Sequence, residues 1–366
     1  MDFDAVRAEF PALERVAYLN TGTFGPVPQR SHDAAAAWSE RELREGRSGV
    51  DYFDHRLEQR EQVRAMLADL LGAGSHQVAL TRSTTESCNI VLAGLGLAAD
   101  EEIVTTDLEH FGLLGALGAS GARVRVARLL GRPPGEAVES IRREIGSRTR
   151  LVATSHVSWL NGQVLPIADI AELGVPVLVD GAQSVGAIPV DLGELSCDFY
   201  TFPGQKWLLG PDGTGGLALS DAWLERLAVC LPSYYGQQDY TDDGRWTPAE
   251  GAARFDPGTI PAAAIAGWAV ALELAAELGE ERFGHGVEMA ARCHRRLSSI
   301  VALHSRSGDS TLVAFEPRGN AEDVVRELSE QGVIVRSLPR LGWVRASVGF
   351  WNNDSDLARL ARGLTA

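Results

Sequence analysis

Lysine is nearly absent from this chain. Its 34 basic side chains are almost all arginine and face 49 acidic ones, for a net charge of −15. A chain this acidic, with no run rich in Lys or Arg, is poorly matched to nucleic acid or to an anionic membrane. No stretch approaches the ~18 continuous apolar residues of a membrane span. The opening MDFDAVRAEFPAL is acidic and amphipathic, not a basic region followed by an apolar one. Cysteine is scarce too: Cys88, Cys197, Cys230 and Cys293 lie far apart with no CxxC pair. That spacing suits reduced thiols better than a disulfide framework or zinc, and no other His/Cys/Asp spacing suits a metal. These absences lead to the expectation of a cytoplasmic, soluble protein without metal, nucleic acid or membrane partners. Repeats and low-complexity tails are missing as well. What is present suffices for a large core, since 45% of the 366 residues are hydrophobic and eight are Trp. At ~150 residues per domain the length predicts about two domains.

From about residue 50 to 220, helical patterns alternate with short β-branched runs. Residues 54–72 read as a helix closing at Gly72. The runs QVALT (77–81), EEIVTT (101–106), RVRVARL, RLVATSHVS, VPVLVD and DFYTF read as strands. Between them, ESCNIVLAGLGL, GLLGALGAS and EAVESIRREI read as helices. This alternation predicts βαβ units, an α/β fold with a mostly parallel sheet, and a ligand at the C-terminal strand ends. Residues 233–261 are polar, Gly/Pro-rich and aperiodic, which predicts a long functional loop. Beyond it come Ala-rich helices (262–279, 281–300), the strands TLVAFEP, VIVRSL and WVRASVGF, and two more helices. They predict a smaller α+β domain. The expected division is 16–258 for the large domain, with 1–15 and 259–366 for the small one.

The chemistry concentrates between Val179 and Lys206. An apolar strand (Val175, Val177, Leu178, Val179) delivers Asp180 and Gln183 at its C-terminal end. A second strand, CDFYTF, ends at Lys206, 26 residues after Asp180. A pyridoxal phosphate site needs this combination. The amine forms the Schiff base with the cofactor aldehyde, and the carboxylate keeps the pyridine nitrogen protonated. A buried carboxylate gains from such a cationic partner what it would lose unpaired. Upstream, TRSTTES (81–87) opens a helix in which Ser83 and Glu86 form a capping box. Alone this is an ordinary helix cap. Beside Asp180 and Lys206 it reads as a phosphate cup, with Thr84 and Thr85 adding hydroxyls to the free N–H groups. His110, in EHFG, falls at another strand end, where an imidazole can stack on a cofactor ring or serve structurally, and His156 is placed similarly. Arg345, on a late strand, offers the planar fork that grips an α-carboxylate, or else a surface ion pair. GPDGTGG (210–216) follows the lysine and lacks GK[ST], so it reads as a tight turn.

The set TTES, EH, HVSxxxG, VDGAQ, GQKWLLGPDGTG, FDPGT and RAS resembles that of fold-type-I pyridoxal phosphate enzymes of the class V aminotransferase family, the cysteine desulfurase-like group. The resemblance runs from YLNTGTFGPVP (18–28) to WVRASVGFWNN. It implies Lys206 as the Schiff-base lysine, Asp180 on the pyridine nitrogen, Gln183 on the ring hydroxyl, and His110 stacked on the ring. It further implies Thr84 and Thr85 on the phosphate and Arg345 on the substrate carboxylate. Thr259 of DPGT would reach the phosphate of a neighbouring subunit, which makes a homodimer the expected state. Asn20 and Trp159 would line the substrate side. Phe24, the 233–250 segment and the short 336–343 loop would shape the pocket.

Three departures modify that expectation. Pro203 stands where the family has a serine three residues before the lysine. Gln205 replaces the usual histidine beside it while remaining a cofactor neighbour, and Trp159 replaces an asparagine. Cysteine desulfurases of this group also carry a nucleophilic cysteine shortly before the carboxylate-binding arginine. Here GVIVRSLPRLGWVR holds none, and the last cysteine is Cys293. The expected reaction is therefore C–S β-elimination on cysteine, cystine or a cysteine (sulfoxide) conjugate, giving pyruvate and ammonia. The alternatives are an epimerase resembling isopenicillin N epimerase, an aminotransferase, a desulfurase with an unusual thiol, or a non-catalytic cofactor-binding protein.

Overall fold

The computed structural model describes residues 1–338 and 340–365. Its centre is a seven-stranded sheet: β1 (Val78–Thr81), β2 (Glu102–Thr106), β3 (Arg123–Ala127), β4 (Thr149–Ser155), β5 (Val177–Asp180), β6 (Phe199–Pro203) and β7 (Gly215–Leu219). Their spatial order is β1-β7-β6-β5-β4-β2-β3. The pairs β6–β5, β5–β4, β4–β2 and β2–β3 are parallel, whereas β7 runs antiparallel to both β6 and β1. Two reversals leave β1 pointing the same way as the parallel strands. The C-terminal ends of β1, β2, β4, β5 and β6 thus share one edge.

Strand β7 is a finding against the reading of GPDGTGG as a turn alone, because its last two glycines, Gly215 and Gly216, begin a seventh strand. A Gly-rich start hides the β-branched signal on which strand recognition rests. The rest of the alternating pattern holds, including the helix Val50–Leu70 and the helix Thr84–Leu95, here α1. Strands β1, β2, β5, β6 and β7 are buried along their whole length. Helices therefore cover both faces, and two apolar clusters form the layers. One is built around Val104, Val152, Val179, Phe202 and Trp268, the other around Ile103, Leu151, Leu178, Phe199 and Leu217. Alternate residues of the same strands point into opposite layers, as the pleat requires. Edge strand β3 is exposed at Arg123 and Val124, and its arginines discourage pairing with a further strand.

The 233–261 segment is more ordered than its composition suggests. Gln237–Tyr240 and Trp246–Pro248 pair as a small hairpin, followed by a 3₁₀ turn at Gly251–Phe255. Helix Ala262–Leu278 (α2) then packs back toward the large sheet through Ile265, Trp268 and Leu272.

A second, four-stranded antiparallel sheet contains β8 (Leu312–Glu316), β9 (Arg336–Leu338) and β10 (Trp343–Ser347), with Ala302–Leu303 at its edge. It encloses its own core of Phe315, Leu328, Val344 and Leu357. The run VIVRSL is not one strand. Val333–Ile334 pairs in parallel with Ala17–Tyr18, and β9 begins after Val335. The N-terminal segment continues across the molecule: Asn20 bridges to Ser347, and the Gly25 N–H donates to Gln205 O at 2.8 Å. This strap ties the second sheet to the chain beside Lys206.

Candidate active site

Five strand ends supply the site. β5 presents Asp180, whose Oδ1 accepts the Ala182 N–H at 2.9 Å. Burial raises the Asp180 carboxyl above the ordinary range, while Lys206 and the Ala182 N–H pull it back. Beyond β6 comes partly buried Lys206. Burial lowers its amine to about 8 against the attraction of Asp180, with Arg345 and Arg336 adding repulsion. A carboxylate and an amine that sense each other in a dry strand-end cleft suit proton handling near neutral pH.

After β1, Ser83 caps α1 by accepting the Glu86 N–H at 3.1 Å. The Thr84 hydroxyl beyond it is buried and has no partner among the described residues, and Thr85 Oγ1 approaches Gly112. A free helix start with two threonines is an anion site in waiting. After β2, His110 caps the next helix, its Nδ1 accepting the Gly112 N–H at 3.1 Å. That bond assigns the proton of the neutral ring to Nε2. Burial lowers the imidazole to about 3, helped by Lys206, Arg336 and Arg345, so His110 is an uncharged plate at any working pH. Trp159 meets it edge-on, with ring centroids 4.8 Å apart.

The carboxylate-binding end is built on β9 and β10. Arg345 is fully buried. Its Nη1 donates to Trp159 O at 2.6 Å, while Nε and Nη2 have no partner among the described residues. One edge of the guanidinium is thus held and the two-nitrogen edge is free, which matches a bidentate carboxylate. The strap passes close here. A Cβ on Gly22 would lie 2.7 Å from Arg345 Nη2 and 2.8 Å from Ser347 Oγ, and a Cβ on Gly25 would fall 2.2 Å from Lys206 O. Only glycine permits that passage.

Gln183 is placed as expected but is already engaged, since Nε2 donates to Gly22 O at 2.8 Å and Oε1 accepts Trp207 Nε1–H at 3.0 Å. Contact with a ring hydroxyl would use its second amide hydrogen. Gln205 Oε1 is buried and unpartnered among the described residues. Asn20 Oδ1 accepts the Thr23 hydroxyl at 2.8 Å. Thr259 stands apart from this group, exposed and bonded to the Tyr234 hydroxyl. Phe24 is half exposed at the mouth, and of the 336–343 loop Pro339 lies outside the described residues. His156 is structural, being buried with Nδ1 2.7 Å from the Tyr200 hydroxyl and lowered by burial to about 4.

Two residues escaped the sequence reading. Arg336 pairs in register with Arg345, donates from Nη1 to Thr23 Oγ1 at 3.0 Å, and lies over the Trp159 ring at 5.8 Å. Burial lowers its guanidinium below the usual value. The available signal was an arginine inside the apolar run VIVRSL. Glu109, next to His110, is buried and holds four hydrogen bonds. Its pairing with strand-end hydroxyls is visible only in three dimensions.

The orphaned polar atoms of Thr84, Gln205, Trp159, Ser347 and Arg345 would be costly without a guest. They fit pyridoxal phosphate. Thr84, Thr85 and the α1 N-terminus would take the phosphate, Lys206 the aldehyde, Asp180 the pyridine nitrogen, and His110 one ring face.

The family model for aminotransferase class-V matches residues 18–360. The chain belongs to the class-V aminotransferase family. It has the fold-type-I architecture of that family's pyridoxal phosphate enzymes. A cysteine desulfurase of Salmonella newport is 30% identical over 99% of this chain and 97% of the relative. The cystine C–S lyase C-DES, solved with its reaction product cysteine persulfide, superposes with a TM-score of 0.91 at 30% identity, covering 96% of this chain and 99% of that one. A C-DES variant with glycine covalently linked to its PLP cofactor gives the same TM-score over 97% of this chain and 98% of that one. The Escherichia coli cysteine desulfurase CsdA reaches 0.85 at 26% identity, covering 100% of this class-V chain and 98% of CsdA.

Proposed function

We propose that this class-V enzyme is a pyridoxal phosphate-dependent C–S β-lyase, with L-cystine as the substrate its pocket suits best. The observation that carries the reading is where its thiols lie. Cys88, Cys197 and Cys293 are buried, and burial pushes Cys197 and Cys293 up to about 12 and Cys88 higher still. The fourth, Cys230, bonds to Ala93 O. None stands on the segment beside Arg345, so sulfur transfer to a protein thiol lacks its acceptor, while the groups for proton removal are assembled. The similarity to both desulfurases and a cystine lyase supports a sulfur amino acid as substrate.

When bound, the cofactor serves as the electron sink for the Cα carbanion. The chain's own residues do the rest. The free Nε–Nη2 edge of Arg345 holds the α-carboxylate and orients Cα. Lys206 Nζ, poised near neutral pH, takes the Cα proton. Asp180 holds the pyridine nitrogen's proton in place, and His110 covers one face without adding charge. Elimination releases the Cβ sulfur as a thiolate or persulfide, and hydrolysis of the remaining enamine yields pyruvate and ammonia. Arg336 gives the pocket a second cation beside the first, which favours a substrate with a second carboxylate, as in cystine.

The test is product analysis with L-cystine and L-cysteine. Pyruvate and ammonia in equal amounts, lost in Lys206→Ala, are expected. Alanine with sulfane sulfur would refute the lyase and make the protein a desulfurase. Absence of turnover on both substrates would move the reaction to another amino acid.

A further inference from the structure

Glu109 is a buried acid for which the reaction above has no use. It follows β2, and its carboxylate gathers donors from two strand ends. Thr106 Oγ1 and Thr154 Oγ1 reach Oε1 at 2.5 and 3.0 Å, while the Ser155 N–H and hydroxyl reach Oε2 at 2.8 and 2.5 Å. The Ser155 N–H can only donate, and an ionised carboxylate accepts all four bonds at once. Among the described residues no cation pairs with it. Ser155 lies in register with Asp180 across β4 and β5, so Glu109, bonded to the end of β4, sits one strand away from the end of β5 that carries Asp180. Asp180 and the Cys88 thiol are the titratable groups whose charge Glu109 senses or disturbs, and His110 follows it in sequence. Buried among hydroxyls and one backbone N–H, Glu109 is pushed up to about 7 by desolvation, against the pull of its own hydrogen bonds and with Asp180 adding repulsion.

We infer that Glu109 is a positioning residue whose negative charge, set across β4 from Asp180 by four hydrogen bonds, holds protons on the cofactor and its lysine linkage. Above about pH 7, where Glu109 is ionised, its charge near a site of low dielectric raises the proton affinity of every basic nitrogen there. The same bonds anchor the turn from which the His110 ring projects. This inference rests on the cofactor, not on which bond the enzyme breaks, so it survives failure of the lyase assay.

The test is a pH titration of the visible absorbance of the cofactor-loaded enzyme, without substrate. Glu109→Gln keeps the size and can keep most of the bonds while removing the charge. Its titration midpoint is expected to fall by about 1, the effect of deleting one charge near a buried site. Ser155→Ala deletes a donor but keeps the charge, and is expected to lower the melting temperature while leaving the midpoint near wild type. A Glu109→Gln midpoint equal to or above wild type would overturn the inference, as would an equal fall in Ser155→Ala. Should Glu109→Gln fail to load cofactor, Glu109→Asp decides. It retains the charge and must load with a near wild-type midpoint, and a fall of about 1 there would assign Glu109 a purely structural role.

Discussion

Arg345→Met should leave the protein more stable and nearly inactive. The guanidinium is fully buried with two nitrogens unpartnered, and burial next to Arg336 lowers it to about 9. Keeping it charged at neutral pH costs on the order of 4–5 kcal/mol. Methionine fills a similar length without charge, but it orphans Trp159 O, which now accepts Nη1 at 2.6 Å, at a cost of about 2 kcal/mol. The net gain is about 2–3 kcal/mol, or roughly 3–4 °C in melting temperature for a chain of this size. The sign follows from linkage. A cation with its folded pKa lowered destabilises fully below about 9 and less as pH rises through that value. The advantage of the variant is therefore flat from pH 6 to 8 and shrinks above 9. Catalysis moves the other way. Two charge-assisted bonds to a carboxylate contribute ~1.5–3 kcal/mol each, so kcat/KM should fall by roughly 10²–10⁴. Thermal melts of both cofactor-loaded proteins, with initial rates on L-cystine, provide the assay. A lower melting temperature for the variant, or a loss of activity under tenfold, would refute the reasoning.

Lys206 is the only lysine in the chain, so borohydride reduction of the loaded enzyme should attach cofactor to one lysyl peptide, and Lys206→Ala should lose both that label and the visible absorbance. Label retained on an internal peptide in the variant would contradict this assignment. Because the apo-enzyme amine sits at about 8 and only its unprotonated form attacks an aldehyde, stopped-flow cofactor loading should slow about tenfold per pH unit below that value and level off above it. Arg345→Met, by removing a repelling charge, should move the inflection upward. His110 at about 3 carries no charge during turnover. His110→Phe should therefore keep the shape of the kcat/KM–pH profile between 5 and 9 with a modest loss of rate, and disappearance of an inflection near 6 would disprove that role. Arg336→Ala should raise KM for cystine at least tenfold more than KM for cysteine, a split that vanishes if Arg336 only braces Trp159.

The parts of this molecule legible in its sequence are those with local, repetitive causes. The strands VPVLVD and DFYTF are continuous apolar runs because both faces of the sheet are covered, and the acid and lysine at their ends stand out against that background. Ser83 with Glu86 marked a helix start for the same local reason. What stayed hidden depends on contacts between distant segments. β7 begins with two glycines, so its only strand signal is the short LAL that follows. Arg336 looks like any exposed arginine until register sets it against Arg345 and the strap brings Thr23 to its tip. Glu109 differs from the chain's other acids through the donors that Thr106 and, from β4, Thr154 and Ser155 bring to it. Thr259, expected from the resemblance to serve a neighbouring subunit, is exposed here and bonded to the Tyr234 hydroxyl.

The reversed strand β7 also works as a ruler. It separates β1 from β6 by two hydrogen-bonded spacings, ~10 Å in all, and so sets the lateral distance between the helix start at Thr84 and the strand that leads to Lys206. That distance is written in backbone ladders rather than in side chains. Substitutions around Arg345, Trp159 or Arg336 can therefore change what is bound and which bond is broken without moving the two anchors of the cofactor. A scaffold of this kind invites retooling at one end while the other stays fixed.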